Sequence, residues 1–190
     1  LNPRFLYNTL DSLYWMAELN KQPDMAAMVR SLSKLLRSSL SKNEPLITIR
    51  EQLALLNDYF YIQKIRFKER LEYSIDVDTD LYDRLIPRFT IQPLVENSIK
   101  YSLEEMGSKC LIEVVIHRIK GKEGLEILIS DNGPGLERSH SSSEGSGIGL
   151  TNLKKRLSLL YGRKERFEIS SKPGMGTKIA IFIPHTKETE

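Results

Sequence analysis

Cysteine is almost absent from this 190-residue chain, with Cys110 its one example. A lone thiol forms no internal disulfide and holds no structural zinc by itself, which predicts a reducing, cytoplasmic setting. Long apolar runs are missing too: nothing approaches the roughly 18 residues that a membrane-spanning helix needs, and no signal-peptide pattern opens the chain. Nor is there an excess of one charge. The 28 Lys plus Arg against 25 Asp plus Glu leave a net +3, so nucleic acid and anionic membrane are not expected as partners. Histidine is scarce, at His117, His140 and His185 alone. The first residue is Leu1 rather than methionine, which predicts a fragment whose upstream region, with any membrane anchor, lies outside it. What remains is ordinary globular composition, 40% hydrophobic and 28% charged, enough for one large or two small domains with buried cores.

The apolar periodicity changes once along the chain. Leu6, Leu10, Leu13 and Ala17, then Met25, Val29, Leu32, Leu36 and Leu40, recur at helical spacing and predict two helices joined near Pro23. Lys42, Asn43, Glu44 and Pro45 break that pattern, and Thr48-Ile49-Arg50-Glu51 offers a capping box for a third helix carrying Leu53, Leu56 and Phe60. Tyr73, Ile75 and Val77 alternate with polar residues and predict a strand. A helix is expected from Pro87 to a stop near Gly107. A hairpin of strands 111–119 and 125–130 follows, then a Ser/Gly stretch, a helix over 148–161 ending at Gly162, and strands 167–171 and 177–183 around a Pro-Gly turn. The fold class is α+β, with a helical block over 1–70 and a sheet-containing domain over 71–190. No internal repeat is visible.

Four short segments carry the chemistry. Glu96, Asn97, Lys100 and Tyr101 fall along one predicted helix face. An amide oxygen is a hard donor suited to magnesium, and a lysine supplies a point charge to phosphates; a solvated helix face is the plain alternative. Asp131-Asn132-Gly133-Pro134-Gly135 follows an apolar strand, so the carboxylate emerges where the backbone turns away. An ionised carboxylate only accepts hydrogen bonds and suits an exocyclic amino group, while glycines let a flat base approach the backbone; a simple turn is the alternative. Gly145, Gly147 and Gly149 precede Leu150 and a helix, where backbone amides suit phosphate. Their spacing fits neither the dinucleotide fingerprint nor the Walker pattern. Gly174-Met175-Gly176-Thr177 opens the last strand, either as a turn or with its hydroxyl near a base.

In this order and separation, Asn97 with Lys100, Asp131-Asn132-Gly133-Pro134-Gly135, Gly145-Ser146-Gly147-Ile148-Gly149-Leu150 and Gly174-Met175-Gly176-Thr177 resemble the four boxes of the GHKL ATPase superfamily. The resemblance implies an α/β sandwich that binds ATP and Mg2+. Asn97 would bind the metal, Asp131 the adenine amino group, and Lys100 with the glycine-rich stretch from Gly145 to Leu150 the phosphates. Thr177 would reach the base through water, and Tyr101 would border the adenine. The segment Pro93-Leu94-Val95-Glu96-Asn97-Ser98-Ile99-Lys100, the opening Asn2-Pro3-Arg4-Phe5-Leu6-Tyr7-Asn8, and Gly149-Leu150-Thr151-Asn152-Leu153 with Arg156-Leu157 narrow the resemblance to LytS/YesM-type sensor histidine kinases. It implies a helical dimerisation and phosphoacceptor-type domain over 1–70, a homodimer, and a response regulator as partner. The chain would then be the cytoplasmic portion of a membrane sensor anchored through its missing upstream region.

One departure bears on activity. The family has Asn-Pro-His-Phe, with the histidine as phosphoacceptor, where this chain has Asn2-Pro3-Arg4-Phe5. A guanidinium has no acceptor lone pair and cannot attack a phosphorus atom as a neutral imidazole can. The expectation is a kinase core defective in autophosphorylation, the alternative a non-enzymatic nucleotide-binding signalling partner. His117, His140 and His185 read as structural or solvated residues. Glu96 is either a general base or a local tuner of charge. Arg156 reads as a surface cation, a phosphate contact being its alternative.

Overall fold

The computed structural model describes residues 2–40, 45–105, 107–121, 123–135, 146–162 and 166–185. Two compact units divide the chain: Leu1–Pro45 with Leu53–Lys68, and Leu46–Gln52 with Glu69–Glu190.

In the first unit, helix α1 (Pro3–Leu19) starts where the Asn2 side chain accepts the Arg4 N–H at 3.0 Å and Pro3 occupies the first turn. Both features are those of a helix N-terminus, where proline loses no hydrogen bond. Lys21, at φ 52, turns the chain into α2 (Pro23–Leu40). The two helices form an antiparallel hairpin, since Tyr14 accepts from Arg30 while Asp11 and Tyr7, further back along α1, meet Arg37 further along α2. Asp58, on the part of α3 (Ile49–Phe67) in this unit, accepts from Ser31 at 2.8 Å and pairs with Lys34 at 3.4 Å. The apolar stripes are only half covered. Leu10, Ala17 and Ala26 are buried, whereas Phe5, Leu13, Trp15, Met16, Leu19, Met25 and Leu32 are exposed.

The second unit opens with a two-stranded antiparallel ribbon, β1 (Leu46–Thr48) against β3 (Leu85–Pro87). The capping box expected at Thr48 forms: Thr48 N–H donates to Glu51 Oε2 at 2.9 Å and Glu51 N–H to Thr48 Oγ1 at 3.1 Å. The main sheet joins β2 (Leu71–Val77), β4 (Cys110–Arg118), β5 (Gly124–Asp131), β7 (Thr177–Pro184) and β6 (Arg166–Ser171), in that spatial order. Only β2 and β4 are parallel. Alternation along the strands puts Ile112, Val114, Ile116, Ile127, Ile129 and Ile181 in the core. Helix α4 (Gln92–Ile99) lies against β4 and β5, and α5 (Ser146–Tyr161) against α4. This is the mixed α+β architecture expected, helices followed by a sheet-based domain.

The helix expected from Pro87 begins five residues later, at Gln92, and Pro93 is the proline in its first turn. Pro87 instead pairs with Leu46 at the end of β3. Its missing N–H is tolerated on such an edge, and Phe89, at φ 60, keeps the segment out of helical conformation. After Ile99 the chain continues as one π-helical turn, Lys100–Glu105, and Gly107 takes φ 68. The break expected at 42–44 lies outside the described residues.

Candidate functional site

Strand β5 delivers Asp131 to the pole of the sheet where β7 begins, because Asp131 and Thr177 are register partners. Both carboxylate oxygens are held. Ser98 Oγ donates to Oδ2 at 2.5 Å, and Oδ1 accepts the N–H of Gly133 at 2.9 Å and of Thr177 at 3.3 Å. A carboxylate offers about four lone-pair positions, so this one is fixed in direction with room for a further donor. Asn132 stitches the segment to β4, its Oδ1 accepting the Leu111 N–H at 2.7 Å. The Gly174 N–H donates to the Pro134 carbonyl at 2.6 Å, which brings the β6–β7 turn to the same place.

Two glycines let the chain pack closely at this pole. A Cβ on Gly133 would strike the Ser102 hydroxyl and lie 2.9 Å from Asp131 Oδ1; one on Gly176, at φ 83, would run into the Asp131 carbonyl. Gly135 sits against the Lys172 carbonyl. The Thr177 hydroxyl is 3.1 Å from that of Ser171. Beneath them Cys110 is buried, its thiol directed at the Ser98 carbonyl at 3.8 Å. Burial, the largest cause, pushes that thiol from an ordinary 9.0 up to about 11, which makes it a poor nucleophile.

Helix α4 flanks the pole. Leu94, Val95, Ser98 and Ile99 form its buried face, so Asn97 is half-buried beside them while Glu96 and Lys100 point outward. Glu96 accepts from Gln92 at 2.8 Å. The Lys100 ammonium lies 5.3 Å from the centre of the half-buried Tyr101 ring, both in the π-helical turn. Among the described residues no group of three or more His, Cys, Asp or Glu side chains is placed to hold a metal. A single amide such as Asn97 fits an ion that brings phosphate and water ligands of its own, as magnesium does.

Gly147, Gly149 and Leu150 lie in the first turns of α5, while Gly145 and His140 are outside the described residues. Arg4 is exposed in the first turn of α1, in the other unit. His117 pairs across the sheet with Glu126 at 3.3 Å, and His185 Nδ1 meets Arg84 at 3.2 Å. Arg156 corrects the surface reading: it is half-buried and donates to the Arg88 carbonyl at 2.7 Å. Ser98 escaped the sequence reading, although a polar residue on the apolar face set by Leu94, Val95 and Ile99 was the available signal.

Comparison with known proteins follows the same division. A model described as histidine kinase matches residues 1–71, and one described as histidine kinase-, DNA gyrase B-, and HSP90-like ATPase matches residues 82–187. Sensor histidine kinase YesM of Bacillus subtilis is 41% identical over 189 residues, covering 99% of this chain and 32% of that protein. Sensor protein LytS of Staphylococcus saprophyticus is 30% identical over 202 residues, covering 100% of this chain and 33% of its own length. The chain thus spans about a third of the length of these curated relatives. Among solved structures, histidine kinase AdeS of Acinetobacter baumannii shares the fold with a TM-score of 0.54 at 16% identity, over 96% of this chain and 95% of that one. The histidine kinase domain of an Erythrobacter litoralis blue-light activated kinase does so with a TM-score of 0.54 at 15% identity, over 88% and 82%. With a helical segment and an ATPase fold matched in that order, the second over more than half its length, this chain belongs to the LytS/YesM-type sensor histidine kinases of the GHKL ATPase superfamily.

Proposed function

We propose that this chain is the catalytic core of a two-component sensor kinase that binds ATP with Mg2+, works as a homodimer towards a response regulator, and does not phosphorylate itself at position 4. The held carboxylate of Asp131 carries the reading. Its remaining lone pairs accept the exocyclic amino group of adenine, Tyr101 borders the flat base, and the Thr177 hydroxyl reaches it through water. Lys100 supplies positive charge to the phosphates, and the glycine-rich stretch from Gly145 to Leu150 supplies backbone amides and the positive end of α5. Asn97 offers its carbonyl oxygen to Mg2+, which when bound neutralises phosphate charge.

The acceptor is what this chain lacks. In the family's reaction an unprotonated imidazole nitrogen takes the γ-phosphoryl group as its bond to the ADP oxygen breaks, and the group passes on to a response-regulator aspartate. Arg4 has no lone pair for the first step, and Glu96 as a base has no nucleophile to serve there. Asp131→Asn turns half of the acceptor into a donor and should weaken a fluorescent ATP analogue by roughly tenfold or more in a titration. With labelled ATP and Mg2+ the unsubstituted chain should take up no acid-labile phosphate, whereas Arg4→His should place it within α1. Stable phosphohistidine on the unsubstituted chain would overturn the reading of Arg4. That same arginine favours a second reading, a non-enzymatic signalling partner that binds nucleotide and pairs with an active kinase; failure to bind such a kinase in a pull-down counts against it.

A further inference from the structure

The segment joining β3 to α4, residues 87–91, is held in place more firmly than a connection requires. The Pro87 carbonyl accepts from the buried Thr90 hydroxyl at 2.6 Å and, at 3.5 Å, from the buried Gln52 amide. Gln52 Oε1 in turn accepts the Ile91 N–H at 3.3 Å. Between these anchors Phe89 adopts φ 60. A bulky residue in that region is strained, and persists only where surrounding contacts over-determine it.

A second unfavourable feature meets the first. Arg156 on α5 is half-buried, its Nε–H has no hydrogen-bond partner among the described residues, and burial lowers its affinity for a proton. An unsatisfied buried donor works against folding. Strained backbone and poorly solvated guanidinium converge on one contact, the 2.7 Å bond from Arg156 Nη1 to the Arg88 carbonyl, the residue just before Phe89. The left-handed turn at Phe89 leaves that carbonyl outside any helical or strand ladder, available to a side chain 68 positions away.

We propose that Arg156 is a positioning residue, a clasp that fixes α5 to the segment leading into α4 and so sets the spacing between the glycines of α5 and Asn97. Gly149 lies seven residues before Arg156, about 10 Å along a helix that rises 1.5 Å per residue. Asn97 lies six residues after Ile91, in the second turn of α4. The clasp therefore acts on the two elements that would face the phosphates, while Asp131 keeps the Gly133 and Thr177 bonds that fix its other oxygen without α4. It rests on the ATP reading above, and its signature is a split: phosphate-dependent affinity depends on the clasp, and affinity for the base does not.

The test uses the full 190-residue chain with Mg2+, titrated with a fluorescent ATP analogue and, separately, with adenosine. Arg156→Met keeps the apolar stem and removes the donor; it should weaken the ATP analogue roughly tenfold, the scale of a charge-assisted hydrogen bond, and leave adenosine unchanged. Arg156→Lys keeps a charged donor without the planar fork and should recover part of the loss. Phe89→Val disfavours positive φ and should reproduce the loss, with the double variant no weaker than either single one. Equal loss of both ligands, or loss of neither, overturns the clasp. If the unsubstituted chain binds no ATP, the ATP reading falls and the clasp is judged by amide hydrogen exchange. Arg156→Met should then speed exchange in residues 153–157 and 91–95 together while β5 stays protected, and unchanged exchange overturns it. Should Arg156→Met not fold, Arg156→Lys and Phe89→Val carry the same comparisons.

Discussion

Gly176 shows how little freedom the Asp131 pole has. Its φ of 83 and the Asp131 carbonyl at the place of a Cβ exclude any other residue without movement of β5 or the β6–β7 turn. Gly176→Ala should cost more than about 1 kcal/mol in chemical denaturation, the range for alanine forced to positive φ, and should also abolish binding of an ATP analogue. Cys110 lies under the same pole with its thiol pushed up to about 11, and Tyr161 is pushed from 10.0 to about 12, in both cases by burial. A folded-state pKa raised above the unfolded one gives stability that is complete below the unfolded value and is lost as pH rises through the folded value. Thermal stability should therefore hold steady to about pH 8 and fall across the window from 9.0 to about 12, and Cys110→Ala should remove the first part of that fall. The native thiol should react with a disulfide reagent at pH 8 at least ~100-fold more slowly than in denaturant, since two pKa units alone remove that much thiolate.

At the scale of elements, the start of α3 was written in four residues. Thr48 and Glu51 cap one another, and the hydrogen bonds from the Thr48 backbone and then its hydroxyl hold the Glu51 carboxyl below its ordinary 4.5. A depressed pKa gives stability that is present above 4.5 and lost as pH falls through the lower folded value. Thr48→Ala should cost about 1 kcal/mol in denaturant titrations and flatten the acid limb of the stability profile. The hairpin of β4 and β5, the last two strands and α5 were equally plain, because turn residues and apolar periods are local signals. The start of α4 was not. Pro87 and Pro93 both suit a first helical turn, and only the pairing of Leu46 with Pro87, with Phe89 at positive φ, decides between them.

At the scale of the whole molecule, the first unit has apolar side chains that are exposed among the described residues. Trp15, the one tryptophan, is 63% exposed on α1, near Met16 at 59% and Leu19 at 81%. If the proposed homodimer buries this face, sedimentation should give twice the monomer mass, Trp15 emission should shift to longer wavelength on dilution, and Leu13→Glu with Met16→Glu should yield monomers. A monomer at every concentration would leave those helices needing another partner. By itself the sequence determined the main helices and the five strands of the large sheet, the family, and which short segments carry polar groups suited to a nucleotide, because periodicity, capping and turn chemistry act within a few residues. The tertiary structure decided what holds those groups: Ser98 against Asp131 across 33 positions, Arg156 against Arg88 across 68, and Gly176 against the Asp131 carbonyl. Contacts at such separation arise only when strands pair and helices pack, so they leave no period to be read along the chain.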